Sequence, residues 1–163
     1  MKKEFLGNFL LRSGQRLTVS DPCYNADVWC RRDMKNVLPG LYEAYAYYNN
    51  SANDERILEL LIVNTDYLKH RGKMEFIDDD IGVDAGLCGF FADKPDYTDE
   101  DWSAICNYLT IDRPVAECFR CGNKAPFKCE GVVVSSGYGD GVYTLIGAKN
   151  KEGKYYKLKL LFH

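Results

Sequence analysis

The chain has 163 residues and carries 21 lysines and arginines against 24 aspartates and glutamates, a formal charge of -3 at neutral pH. That balance argues against a dedicated nucleic-acid binder. The 2 tryptophans, 12 tyrosines and 8 phenylalanines argue against disorder, because they need burial or use.

No apolar run nears the roughly 18 residues needed to span a bilayer, so no membrane partner is expected. The length suits one hydrophobic core, and residues 1–163 are read as a single domain. At the start, Lys2 and Lys3 precede a short apolar patch that Asn8 interrupts, with no small-residue cleavage site after it. This reads as the first strand of a cytoplasmic protein rather than as a signal peptide. Residues 17–20 form a short strand that ends at Asp21-Pro22. There Asp21 would cap a brief helical turn carrying Val28, Trp29 and Met34.

Pro39-Gly40 opens a tyrosine-rich strand over residues 41–48. Alternation puts Tyr45 and Tyr47 on one side and Tyr42 and Tyr48 on the other, so part of this tyrosine surface is free for binding. Residues 49–54 are a turn, and residues 56–63 return as the second strand of an antiparallel hairpin. Residues 74–77 read as a short strand. Residues 81–91, with Gly82, Gly86 and Gly89, read as one buried strand with a bulge or close backbone approaches. Residues 97–109 are the one clear helix. Thr98 is its N-cap, Asp99, Glu100 and Asp101 complement the dipole, and Trp102, Ile105, Cys106 and Leu109 share a face.

A strand over 131–134, a loop over 135–141 and a returning strand over 142–148 follow. Residues 154–162 then alternate, with Tyr156, Leu158, Leu160 and Phe162 on one side and Tyr155, Lys157 and Lys159 on the other. This is a strand with one wet face, and its lysines suit a place near a sheet edge. The expected class is mainly β (α+β): an antiparallel β-sandwich or open barrel with one short helix near residues 98–109.

Seven cysteines make a poor disulfide framework and read mostly as reduced thiols. Cys118-Phe119-Arg120-Cys121-Gly122 has the shape of a zinc knuckle, to which Cys129 and Cys106 would add ligands for Zn2+. A redox dithiol at Cys118 and Cys121 is the alternative.

Three polar segments exceed what a β framework needs: residues 20–24, 83–86 and 135–143. In the last, Gly137, Gly139 and Gly141 permit positive φ around Asp140, forming an anion nest or a turn that aims the aspartate. No helix follows, which excludes a phosphate loop and a dinucleotide fingerprint. Either Asp140 shapes a hairpin turn by bonding backbone amides, or Asp21, Asp84 and Asp140 surround one pocket with Ser135 or Ser136 as donors. Such a trio would hold Ca2+ or Mg2+. Ten acidic residues lie between 75 and 101, and five lysines between 149 and 159. These are solvated faces, or the two halves of a head-to-tail or two-fold subunit contact.

Residues 17–23 and 83–86, Trp102 with Cys106, and residues 136–143 together resemble the ordered DPC, VDAG and SGxGDGxY motifs of an uncharacterised bacterial domain family. The likeness spans most of residues 13–162. It implies no activity; it matches Asp21, Asp84, Gly137, Gly139, Asp140 and Gly141 to motif positions and leaves the Cys118–Cys121 pair outside the pattern. The leading expectation is a small binding domain for a small molecule or a protein, without chemistry of its own. The alternatives are a metal-assisted hydrolase of a phosphate ester or similar small substrate, with Asp21, Asp84 and Asp140 as ligands, and a structural or assembly subunit such as a homodimer.

Overall fold

The computed structural model describes residues 1–26, 28–109, 113–121 and 123–163. Its elements are β1 (Lys2–Leu11), β2 (Leu17–Ser20), β3 (Arg32–Met34), β4 (Gly40–Tyr48), β5 (Ile57–Asn64), β6 (Glu75–Val83), β7 (Leu87–Ala92), α1 (Asp99–Tyr108), β8 (Ala116–Phe119), β9 (Glu130–Ser135), β10 (Gly141–Lys149) and β11 (Tyr155–Leu161). The strands form two antiparallel sheets, one six-stranded in the order β1-β4-β5-β11-β10-β6 and one five-stranded in the order β3-β2-β7-β9-β8. The sheets do not close into a barrel; the architecture is a mainly β sandwich with one helix.

Period-two alternation builds the core between the sheets. Phe9, Tyr42, Ala44, Ile62, Leu158 and Leu160 face inward from the six-stranded sheet and meet Val19, Phe90, Val132 and Val134 from the other. Tyr42 keeps its hydroxyl satisfied inside this core by donating to the Leu38 carbonyl at 2.6 Å. The five-stranded sheet has a second core on its outer face. Phe91, Phe119 and Val133 point outward there and pack with Ile105 of α1, its C-cap residue Leu109, Tyr97 and Phe127. The helix starts where the sequence places it. Thr98 and Asp101 form a reciprocal capping box, and three acidic residues occupy the first turn.

Two cations close the edge of this covered side. The Lys94 side chain donates to the carbonyls of Tyr24 (2.9 Å) and Pro95 (3.2 Å) and lies over the Tyr97 ring. The Arg31 guanidinium, 4% exposed, contacts Asp33 and donates to the Lys94 carbonyl. Burial, followed by the neighbouring Arg31 charge, lowers the Lys94 ammonium to about 8.

Four expectations need correction. Residues 22–34 make no helix among the described residues: Asp21 closes a turn on the Cys23 amide, Trp29 is 75% exposed, and Met34 ends strand β3. Residues 81–91 are two strands in different sheets, because Gly86 takes φ +65° and turns the chain between them. Strands β9 and β10 form no hairpin, since the loop between them also changes sheets. Strand β11 is central rather than near an edge; its lysines mark an uncovered face. Strand β8 carries no strong sequence signal and was not foreseen. No helix among the described residues is long and apolar enough to cross a membrane.

Candidate functional site

Both sheet-changing connections, residues 84–86 and 136–140, lie at one end of the sandwich, where β2 also ends. The three polar motifs of the sequence are therefore neighbours. Asp21 is fully buried, and backbone amides take both of its carboxylate oxygens. Cys23 N–H donates to Oδ1 at 2.8 Å, while the Asp84 and Ala85 amides donate to Oδ2 at 2.8 and 2.6 Å. The next amide, Gly86 N–H, donates to Asp140 Oδ1 at 3.0 Å, and the Gly86 carbonyl accepts from Ser136 N–H at 3.0 Å. Two carboxylates thus hold three consecutive amides of one turn.

The glycine loop is tied as tightly. Ser136 Oγ donates to the Gly139 carbonyl at 2.7 Å, and the Tyr143 hydroxyl reaches the same carbonyl at 2.7 Å. Gly137 has φ +51°, and a Cβ there would lie 2.8 Å from the Ile57 carbonyl oxygen, so this position needs glycine.

This geometry corrects the Ca2+ or Mg2+ reading of Asp21, Asp84 and Asp140. The aspartates meet through backbone, not as three carboxylates. Asp21 faces amide hydrogens that would repel a cation, and the Asp84 and Asp140 residues are exposed. Among the described residues no group of three or more histidine, cysteine or carboxylate side chains is placed to hold a metal. The zinc reading fails on strand alternation. Cys118 faces the interior against Gly7, whereas Cys129 lies in the outer cluster, 3.8 Å from the Tyr97 hydroxyl. Cys106 and Cys121 are exposed, and Gly122 lies outside the described residues. Burial raises the Cys118 thiol to about 12 and the Cys129 thiol to about 11, the reverse of what a redox thiolate needs.

Beside the clasp, the tip of the β6–β7 turn, α1 and the segment entering β8 enclose a cleft of about 340 Å³. Leu87, Trp102, Leu109 and Val115 supply its apolar wall; Arg113 and Ser135 supply its polar groups, with Cys106 on the helix side. Ser135 Oγ accepts from Val115 N–H at 2.8 Å, which leaves its own hydroxyl hydrogen to donate. Arg113 makes no ion pair with a described carboxylate. Of the sequence candidates, Ser135 and Cys106 reach this cleft, and Gly86 lines it through backbone. Leu87, Val115 and Arg113 were missed; an arginine directly before Pro114, at the exit of a helix, was the available signal.

No protein-family model, curated protein or solved structure matches this chain. The chemistry of the cleft is therefore read from its own geometry.

Proposed function

We propose that the chain is a binding module without catalysis of its own, and that its ligand is a small organic anion with a flat apolar body, held in the cleft between α1 and the clasped crossovers. The observation that carries this reading is an apolar wall that includes Trp102 beside Arg113, a cation that pairs with no carboxylate among the described residues. An indole face takes a planar body, the guanidinium takes a carboxylate or sulfonate, and Ser135 donates a further hydrogen bond. The clasp supports the reading because it fixes the turn that forms one wall, so little order is lost on binding.

The use of the reactive groups supports a reading without catalysis. Asp21 is saturated by amides, Ser136 donates to a carbonyl, and neither histidine lines the cleft. The test is a fluorescence titration with anilinonaphthalene sulfonate, a flat amphiphilic anion. Saturable binding is expected, abolished by Trp102→Ala and weakened about three- to fivefold by Arg113→Gln. Equal binding by wild type and Trp102→Ala would sink the proposal. Phe76→Ser, on the opposite outer face, controls for dye adsorbed elsewhere.

A further inference from the structure

The end of the sandwich opposite the clasp gathers mostly positive charge. Register places Leu11 beside Gly40 and Tyr42 beside Asn64, so the connections 12–16, 35–39, 65–74 and 150–154 share that end. They carry Arg12, Arg16, Lys35, Lys69, Arg71, Lys73, Lys151 and Lys154 against Asp66 and Glu152. Three of these cations, Arg16, Lys35 and Lys154, line one concavity of about 560 Å³ together with Ser13 and Gln15, and no aspartate or glutamate is in its wall.

The three come from distant stretches of chain, and backbone bonds fix each. The Arg16 carbonyl accepts from Asp93 N–H at 2.8 Å. The segment carrying Lys35 is zipped to the start of β11: Val37 bridges Tyr155 in parallel, Tyr155 N–H donates to the Asn36 carbonyl, and Leu38 N–H donates to the Tyr155 carbonyl, both at 2.8 Å. Lys154 N–H donates to Asn150 Oδ1 at 2.9 Å. Arg16 has one distant carboxylate, Asp93 at 3.8 Å, with both side chains half-exposed. Lys35 and Lys154 pair with no carboxylate among the described residues.

Like charges held on a fixed backbone around one concavity repel each other, and a compact multivalent anion relieves that repulsion at all three sites at once. We infer that this basic concavity is a second site, for the polyphosphate group of a small molecule. Phosphate oxygens match the chemistry of the wall: two ammonium groups act as point charges, one guanidinium binds in bidentate fashion, and the Ser13 hydroxyl adds a neutral donor. The Gln15 side-chain oxygen is occupied by Arg12 N–H, so its amide NH2 is the end left to donate. The site lies at the other end of the molecule from the Trp102 cleft, and its test is independent of that reading.

The experiment is calorimetric titration of the full chain with inorganic tripolyphosphate and, separately, with ATP, both without divalent metal. Wild type is expected to bind tripolyphosphate saturably at low salt, with affinity falling about tenfold or more when sodium chloride is raised from about 50 to about 500 mM. Arg16→Gln, Lys35→Gln and Lys154→Gln should each weaken binding about three- to fivefold, and the triple variant about thirtyfold or more. The side chains are exposed, so the variants should melt no lower than wild type, and the single variants give a readout even if the triple folds poorly. Equal affinity for the two probes assigns the site to phosphate alone. Tenfold tighter binding of ATP assigns it to a nucleotide whose base packs on Pro39. No saturable binding, triple-variant affinity within twofold of wild type, or indifference to salt would each overturn the inference.

Discussion

The two outer faces of the sandwich are treated in opposite ways. The five-stranded sheet is buried on both sides, with α1, Tyr97 and Phe127 over its outer surface. The six-stranded sheet is open over much of its outer face, although Leu61 and Val63 at its centre are buried there. Its outer face carries Phe5 at 54% and Phe76 at 63% exposure, with Tyr45, Tyr47, Lys157 and Lys159 between them. Composition follows coverage. The sequences LCGFFA of β7 and EGVVVS of β9 are nearly continuous apolar runs, whereas YYKLKLL of β11 alternates.

The bare face manages its apolar surface with charge rather than with a layer. Lys3 sits 4.0 Å above the Tyr45 ring, and Lys159 pairs with Glu59 at 2.7 Å. Burial, and then the neighbouring Lys159 and Lys3 charges, lower the Lys157 ammonium. In β7 and β9 an apolar run accompanies two covering layers, and in β11 a lysine alternation accompanies one, whereas β5 is an apolar run within the six-stranded sheet.

The contrast has measurable consequences. The largest is expected at Phe119, which is 1% exposed and stacked 4.0 Å from Phe127. Phe119→Ala should cost about 3–5 kcal/mol in urea unfolding. A loss below 1 kcal/mol would mean that the outer cluster is not a true second core. Next comes the clasp. Asp21→Ala leaves three amides without their acceptor and should cost about 3 kcal/mol, with Asp21→Asn losing less because it keeps one carbonyl oxygen.

A smaller effect, read from pH, belongs to the covered side. The folded state holds Lys94 near 8, against an ordinary 10.5. Its charged form is disfavoured in the fold, so the penalty is full below pH 8 and is relieved as pH rises from 8 to 10.5. The unfolding free energy of wild type minus that of Lys94→Met should accordingly rise over this window. The buried Cys118 thiol opposes this in both proteins, since it is raised from 9.0 to about 12 and loses stability as pH rises through that range, and the subtraction removes it. A difference that stays flat from pH 8 to 10 would show that Lys94 is solvated. The smallest effect is Phe76→Ser on the bare face, expected to change stability by less than about 0.5 kcal/mol. A loss matching that of Phe119→Ala would erase the distinction between the faces.

Local periodicity made much of the fold legible. The tyrosine strand, the helix with its Thr98 cap and the alternation of β11 each depend on neighbours a few residues away. What failed was non-local. Nothing in residues 142–148 says that their partners are β6 and β11 rather than the preceding strand. The motif aspartates stand out in the sequence, but their distant partners do not: Asp140 reads either as bonding amides in a hairpin turn or, with Asp21 and Asp84, as a ligand. Those partners are amides 63 and 64 residues away for Asp21 and 54 away for Asp140. The cleft was hidden for the same reason: Leu87, Trp102 and Arg113 come together only after two sheet crossings and a helix.

The position of β11 also sets an order on biosynthesis. As the chain leaves the ribosome, β1, β4 and β5 can pair as a three-stranded unit, and β6 can later find β10, but the two halves of the six-stranded sheet share no edge until residues 155–161 emerge. Until then the inner edge of β5, with Leu60 and Ile62, stays unpaired, and a nascent chain stalled shortly before residue 155 presents an open strand edge that favours aggregation.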